Sequence, residues 1–148
     1  MKIVVQRVKN ASVTVNGEIS GKIGRGLLLL VGIHVNDTEE QLDWCCNKIM
    51  KLRIFNDQEG LMNRSVQDTG GEILVVSQFT IYGDTRKGTR PGFTEAAPPD
   101  IAKPLYERTI EILRERTDLN IESGIFGAMM DVELVNDGPV TLIINKEA

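Results

Sequence analysis

The chain has 148 residues, of which 41% are hydrophobic and 26% charged, and this balance predicts a single folded domain over residues 1–148. The formal net charge of −4 argues against a protein that coats the phosphate backbone of a duplex, but it allows one that grips only the end of a nucleic acid. The longest purely apolar run, LLLLV at 27–31, is far shorter than the ~20 residues that cross a bilayer, and the first ten residues contain no signal peptide. We therefore expect a cytoplasmic protein that does not enter a membrane.

Four segments of the first half are rich in Val, Ile or Leu and predict strands: 2–8, 11–15, 18–23 and 27–33. Asn16-Gly17 lies between the second and third of them and predicts a hairpin turn. Apolar residues then change to helical spacing, and Thr38 with Gln41 forms a capping-box pattern. We therefore predict a helix from about 38 to 51.

The second half predicts a long strand, a second helix and a group of C-terminal strands. Residues 71–83 are β-branched and aromatic, and 98–117 have helical spacing, with Pro104 delaying the regular helix until about residue 103. The predicted buried stripe of this helix consists of Ile101, Leu105, Thr109 and Ile112. Residues 119–148 predict two or three strands. Because strands and helices do not alternate regularly, we predict an α+β fold with an antiparallel or mixed sheet.

Polar side chains follow the apolar part of the strand predicted over 71–83. Strand alternation would place Ser77 and Phe79 on one face and Gln78 and Thr80 on the other. Hydroxyl and amide groups of this kind can orient an ester or stabilise an oxyanion. From the local pattern alone, ordinary cross-strand hydrogen bonding is the preferred interpretation of the same residues.

The remaining catalytic candidates are few. His34 is the single imidazole, so a Ser-His or Cys-His hydrolase would need it, but its place between a strand and a helix also suits a polar loop residue. Cys45 and Cys46 are adjacent, which makes them poor disulfide partners, and Cys45 falls on the apolar stripe of a helix. No zinc-binding spacing is present, and we expect neither a metal nor a cofactor.

Two segments have unusual local chemistry. The loop 84–93, DTRKGTRPGF, carries Arg86, Lys87 and Arg90, which either hold one or two phosphates or are simply solvated. In NDGPVT, at 136–141, Asp137-Gly138 predicts a hairpin turn between two strands. Pro139 fits that turn poorly, since it has no N–H for the returning strand, although its peptide bond can be cis at modest cost.

The segments SQFTIYGDTRKGTRPGF, SGIFGAMMDVELVNDGPVT and MKIVVQRVKNASVTV closely resemble the D-aminoacyl-tRNA deacylases, as do GLLLLVGI and FNDQEGLMNRSV. The resemblance covers essentially the full chain, in order and at matching spacing. Its paired signatures, Ser-Gln-x-Thr and Asn-x-Gly-Pro-x-Thr, are highly specific. On these residues the chain is identified as a member of that family, of the bacterial type.

The resemblance implies a curved, barrel-like, mostly antiparallel sheet with two main helices, assembled as a homodimer. The implied reaction is hydrolysis of the ester between a D-amino acid, or glycine, and the 3′-terminal adenosine of tRNA. The implied partner is thus the tRNA acceptor end. A cis Gly138-Pro139 bond from one subunit would enter the partner's pocket near Thr80 and reject L-aminoacyl groups.

The resemblance also assigns site residues. The catalytic set is Ser77, Gln78, Phe79 and Thr80. The substrate-binding set is Arg7, Phe126, Ala128, Met130, Asn136, Gly138, Pro139 and Thr141, and segment 126–130 is implied to line an adenine pocket. Ile125 stands where many members have Arg, and KGTRPGF departs from the common Lys-Gly-Asn-Arg-Pro-Ser-Phe.

Two mechanisms and two rival functions stay open at this point. Thr80 is either a nucleophile or a positioning group for the 2′-hydroxyl of the terminal ribose, and we favour the second because no base adjoins Thr80 in sequence. One rival is a non-catalytic module that binds RNA ends. The other is a Ser/Thr esterase that depends on His34.

Overall fold

The structure, a computed structural model, describes all residues from 1 to 148. Its strands are β1 (Lys2–Val15), β2 (Glu18–Ile23), β3 (Gly26–Gly32), β4 (Phe55–Asn56), β5 (Met62–Arg64), β6 (Glu72–Ser77), β7 (Ile121–Ser123) and β8 (Asp131–Asn145). Its α-helices are α1 (Glu39–Lys51), α2 (Val66–Thr69) and α3 (Pro99–Arg116), and a 3₁₀ helix covers Phe79–Tyr82.

The long strand β1 organises the main sheet. It pairs antiparallel with β2 and β3 and also with β8, while β6 lies between β3 and β7 and pairs parallel with both. The sheet curves until β2 approaches β7: a side-chain carbon added at Gly21 would lie 2.7 Å from the Ser123 carbonyl oxygen. The result is a nearly closed, barrel-shaped and mostly antiparallel sheet, which confirms the predicted α+β class.

Helices α1 and α3 pack on one face of this sheet and complete the larger core. The predicted capping box of α1 is confirmed: Thr38 N–H donates to Gln41 Oε1 at 2.8 Å, and Thr38 Oγ1 accepts from the backbone of the first turn. The apolar stripe of α1 lies over the sheet with Leu42, Cys45 and Ile49 fully buried. None of the helices combines the length and hydropathy that crossing a bilayer requires.

The prediction for α3 was wrong at its start. The helix begins at Pro99 rather than near 103 and runs through Pro104. Pro104 cannot donate to the carbonyl four residues before it, but that carbonyl belongs to exposed Asp100, where water can satisfy it. Ile101, which we expected on the buried stripe, is 38% exposed, and Ala102 is the buried residue of this first turn, whereas Thr109 and Ile112 are fully buried as predicted.

Two predicted strand boundaries were also wrong. The strand expected over 71–83 ends at Ser77, and the chain turns into the 3₁₀ helix. Residues 136–141 do not form a hairpin, because β8 runs through them as one strand that pairs with β1 on both sides. Pairing of the flanking residues with β1 therefore overrides the local turn propensity of Asp137-Gly138.

We expect the two thiols to be inert in the folded protein. Burial raises the pKa of Cys45 to about 11 and that of Cys46 to about 12, so almost no thiolate exists near neutral pH. Both side chains are fully buried. A chromogenic disulfide reagent at pH 8 should detect no rapid thiol in native protein and both thiols in denaturant. Rapid native labelling would contradict this burial.

Candidate functional site

The residues Ser77, Gln78, Phe79 and Thr80 form the SQFT turn (77–80), at the carboxyl end of β6. Gln78 N–H still donates to the Val31 carbonyl at 2.8 Å, which is the last bond of the parallel ladder with β3. Beyond it the backbone leaves the sheet, so the face alternation that we predicted stops at Ser77. Gln78 and Thr80 still lie on the same side, as predicted, but they do so within the turn, where Gln78 Nε2 donates to Thr80 Oγ1.

The SQFT turn offers hydrogen bonds but no titratable group. The N–H groups of Phe79 and Thr80 open the 3₁₀ helix and have no acceptor within it, which leaves them available to an oxyanion or a hydroxyl. His34 forms no hydrogen bond with this turn. Its Nδ1 accepts from Asn36 N–H at 3.1 Å, and its ring packs on Tyr82 with centroids 5.3 Å apart.

The segment 124–130 emerges beside the SQFT turn. Because β6 and β7 are parallel, their carboxyl ends lie at the same edge, and Gly124 N–H donates to the Val75 carbonyl at 3.0 Å. Phe126 packs on Tyr106 with ring centroids 5.7 Å apart, so it anchors the segment to the core. Ala128 and Met130 are half-buried. The structure thus brings the expected adenine-pocket residues to the same sheet edge as Ser77.

The signature NDGPVT forms a bulge in β8. Gln6 pairs with Thr141 and Val8 pairs with Asn136, so the single residue Arg7 faces the four residues 137–140, which we call the GP bulge. The Gly138-Pro139 peptide bond is cis, as the resemblance implied. Gly138 and Pro139 are both exposed at the crest of the bulge.

Arg7 supports the GP bulge from behind. The residue is only 7% exposed, and its Nη1 donates to the Ile54 carbonyl at 2.8 Å. Its Nε donates to the Asp137 carbonyl at 3.2 Å and lies 3.4 Å from the Asp137 carboxylate. The resemblance pointed to Arg7, but the pairing with Asp137 was not apparent from the sequence, since the two residues are 130 positions apart.

Asn136 closes the base of the GP bulge. With its amide oriented so that both ends are satisfied, the nitrogen donates to the carbonyls of Arg7 at 3.0 Å and Val140 at 3.1 Å. The oxygen accepts from Thr141 Oγ1 at 2.9 Å and from Gln6 Nε2 at 3.3 Å. These four contacts tie the two ends of the bulge together, so Asn136 and Thr141 hold the backbone of the crest in place.

The SQFT turn and the GP bulge lie far apart within one chain. Arg7, which faces the bulge, pairs with Leu27, whereas Ser77 pairs with Val31 four residues further along β3. At ~3.3 Å per residue this offset is about 13 Å along the strands. The two motifs are also separated across the sheet, on β8 and β6, with β1 and β3 between them. A single chain therefore does not join the two signatures into one site.

Comparison with known proteins identifies the family. A family model described as D-Tyr-tRNA(Tyr) deacylase matches residues 4–145. A D-aminoacyl-tRNA deacylase of Chlorobaculum parvum is 57% identical over 99% of this chain and 98% of its own. Another, from Exiguobacterium sibiricum, is 59% identical over 99% and 100%.

Two solved structures share the fold. A chain described as a c-Myc DNA unwinding element binding protein has a TM-score of 0.95 and 45% identity, with both chains fully covered. A chain described as a probable eukaryotic D-amino acid tRNA deacylase has a TM-score of 0.82 over 97% of each chain, and at 20% identity it supports the fold alone. The family match, together with relatives more than half identical over almost their whole length, leads to one conclusion: this chain belongs to the D-Tyr-tRNA(Tyr) deacylase family.

Proposed function

We propose that this chain hydrolyses the ester bond that joins a D-amino acid, or glycine, to the 3′-terminal adenosine of tRNA, and that it spares L-aminoacyl-tRNA. The activity as a D-aminoacyl-tRNA deacylase rests on the family membership. The observation that supports the chirality filter is the exposed Gly138-Pro139 crest, which Arg7 and Asn136 hold rigidly at its base.

Handedness can be tested by backbone atoms alone. In the proposed complex, carbonyl groups of the crest accept from the α-ammonium group of the substrate, and the SQFT turn holds the ester end. With those two ends fixed, a D side chain points away from the backbone of the crest, whereas an L side chain collides with that backbone. Exclusion of this kind does not measure the side chain, so many D-amino acids are accepted. Glycine is accepted too, because it has no side chain to exclude.

The proposed active unit is a homodimer in which the GP bulge of one subunit reaches the SQFT turn of the other. Two features of the chain support it. The two signatures are separated within one chain, and β8 pairs only with β1, so its other edge carries free backbone groups. Exposed apolar residues accompany this edge, and Val135, Leu142 and Ile143 are 46%, 38% and 72% exposed. Burial between two copies would remove this surface from water.

For the chemical step we propose that the substrate supplies the missing base. No titratable side chain forms a hydrogen bond with the SQFT turn, whose residues offer only hydroxyl, amide and N–H groups. The 2′-hydroxyl of the terminal ribose lies next to the ester and can help to activate water. The N–H groups of Phe79 and Thr80 would position this hydroxyl or stabilise the tetrahedral oxyanion.

The deciding experiment compares deacylation of D-Tyr-tRNA and L-Tyr-tRNA by the purified protein. We expect the D ester to be cleaved at least about 10³ times faster, since steric exclusion places the L side chain against backbone that cannot move aside. Rapid cleavage of both esters would defeat the chirality filter. Binding of the tRNA without release of either amino acid would instead favour a non-catalytic RNA-end-binding module.

One variant distinguishes the proposed deacylase from the rival esterase that depends on His34. The His34 ring accepts a hydrogen bond from Asn36 N–H and packs on Tyr82, and it forms no hydrogen bond with Ser77 or Thr80. If the proposal holds, His34→Ala retains D-Tyr-tRNA cleavage, and loss of that cleavage without loss of folding would support the esterase.

A further inference from the structure

A loop rich in positive charge is fixed beside the SQFT turn. Asp84 and Gly92 exchange both backbone hydrogen bonds, at 2.7 and 3.0 Å, and so close the basic loop (84–92) at its base. The next residue, Phe93, packs edge-on against Phe79 of the SQFT turn with ring centroids 5.2 Å apart. The basic loop therefore has a defined position relative to the reacting end of the substrate.

One of its three cations serves the loop itself. Arg86 donates to both carboxylate oxygens of Asp84, from Nε at 2.9 Å and from Nη2 at 2.7 Å. These bonds hold the pKa of Asp84 at about 2, so the carboxylate stays charged throughout the physiological range. The charge of Arg86 is thereby offset, and the pair stiffens the start of the loop.

The other two cations are free. Lys87 and Arg90 are exposed and form no ion pair with any acidic residue of the chain. Gly88, with a φ of 64°, turns the backbone between them. The charge is notable because the chain as a whole carries a net charge of −4 and the loop has only one acid, which is already paired. Lys87 and Arg90 thus form a small positive surface on an acidic protein.

We propose that Lys87 and Arg90 bind the phosphates of the tRNA acceptor strand next to the terminal adenosine. This inference rests on the proposed function. Arg90 is three residues from Phe93, so its Cα lies at most about 11 Å along the chain from the residue that contacts Phe79. When the last nucleotide of the tRNA acceptor strand lies at the SQFT turn, the phosphodiesters before it would lie next to the basic loop. The guanidinium group of Arg and the ammonium group of Lys are the side-chain groups that bind phosphate best.

The same geometry explains how an acidic protein can take a nucleic acid as substrate. Two cations near one end of the strand give a local attraction without a basic face, so the duplex part of the tRNA is not coated. Affinity gained in this way must depend on salt in proportion to the number of phosphates contacted.

The test measures kcat/KM for D-Tyr-tRNA as a function of salt for Lys87→Gln, Arg90→Gln and the double variant. We expect each single substitution to reduce the log–log salt slope by about 0.7 and the double substitution by about 1.4, as for single-stranded contacts. At low salt the double variant should lose at least about tenfold in kcat/KM. The matched control is Lys22→Gln with Lys51→Gln, which removes the same charge from exposed residues on β2 and α1.

A second substrate separates this proposal from the proposed function. 3′-O-D-tyrosyl-adenosine carries no phosphate, so the differences between wild type and the loop variants should be confined to the tRNA substrate. Equal losses on both substrates, or a salt slope that changes no more than in the control, would overturn the proposal. If the wild type cleaves neither of the two substrates, the proposed function itself is refuted.

Discussion

Replacing Gly138 by Ala is expected to lower kcat/KM for D-aminoacyl-tRNA by at least about 100-fold, a loss of about 2.7 kcal/mol of transition-state stabilisation. Gly138 has a φ of 121°, a conformation that an L side chain rarely adopts. Its new Cβ would lie 2.9 Å from Val140 Cγ2 and 3.0 Å from Arg7 Nη2. The crest must shift to relieve these contacts, and a displacement of about 1 Å is enough to cost such a factor.

Gly60→Ala provides the matched control. Gly60 also has a positive φ, 81°, but a Cβ there would meet no atom within 4 Å. Both variants bear the backbone cost of a side chain at positive φ, about 1–3 kcal/mol of unfolding free energy. Only Gly138→Ala should lose activity, measured on protein whose folding is checked by thermal unfolding. Full activity of Gly138→Ala would remove the crest from the proposed chirality filter.

The second large effect concerns the substrate. A D-aminoacyl-tRNA whose terminal adenosine lacks the 2′-hydroxyl should be turned over at least about 10³-fold more slowly, which is within the range that acid–base groups contribute. Thr80→Ala should stay within about tenfold of wild type, because Thr80 Oγ1 only accepts from Gln78 in the turn. Single-turnover assays with both substrates measure the chemical step directly.

The control substrate lacks a 2′-hydroxyl at the neighbouring nucleotide instead of at the terminal one. A tRNA that lacks the 2′-hydroxyl of the penultimate nucleotide should be cleaved normally. The opposite pattern, with Thr80→Ala inactive and the terminal deoxy substrate active, would identify Thr80 as the nucleophile and exclude the substrate-assisted route.

Local features of the fold were predictable because they depend on neighbouring residues. The capping box of α1 needs only Thr38 and Gln41, and the buried strand β3 only its apolar run. The SQFT turn was not predictable, because β-branched and aromatic residues continue past Ser77. There the chain leaves the sheet so that Tyr82 can pack on Gly32, where an added Cβ would lie 3.3 Å from its ring.

The GP bulge was even less predictable from the local sequence. Pro139 argued against a hairpin, since a returning strand needs its N–H. In a bulge the extra residues do not join the ladder, so the missing N–H costs nothing. Arg7, which contacts the bulge, is 130 residues before Asp137, and Ile54, which holds Arg7, is 83 residues before Asp137, so no local pattern encodes these contacts.

The separation of the two signatures within the chain has a genetic consequence. In the proposed homodimer each site takes its SQFT turn from one subunit and its GP bulge from the other. A variant damaged in one half and a variant damaged in the other would each be inactive alone. Mixed dimers of the two would contain one site with both lesions and one site with neither. Two defective alleles of this chain would therefore complement each other, which an enzyme with its whole site in one chain does not allow.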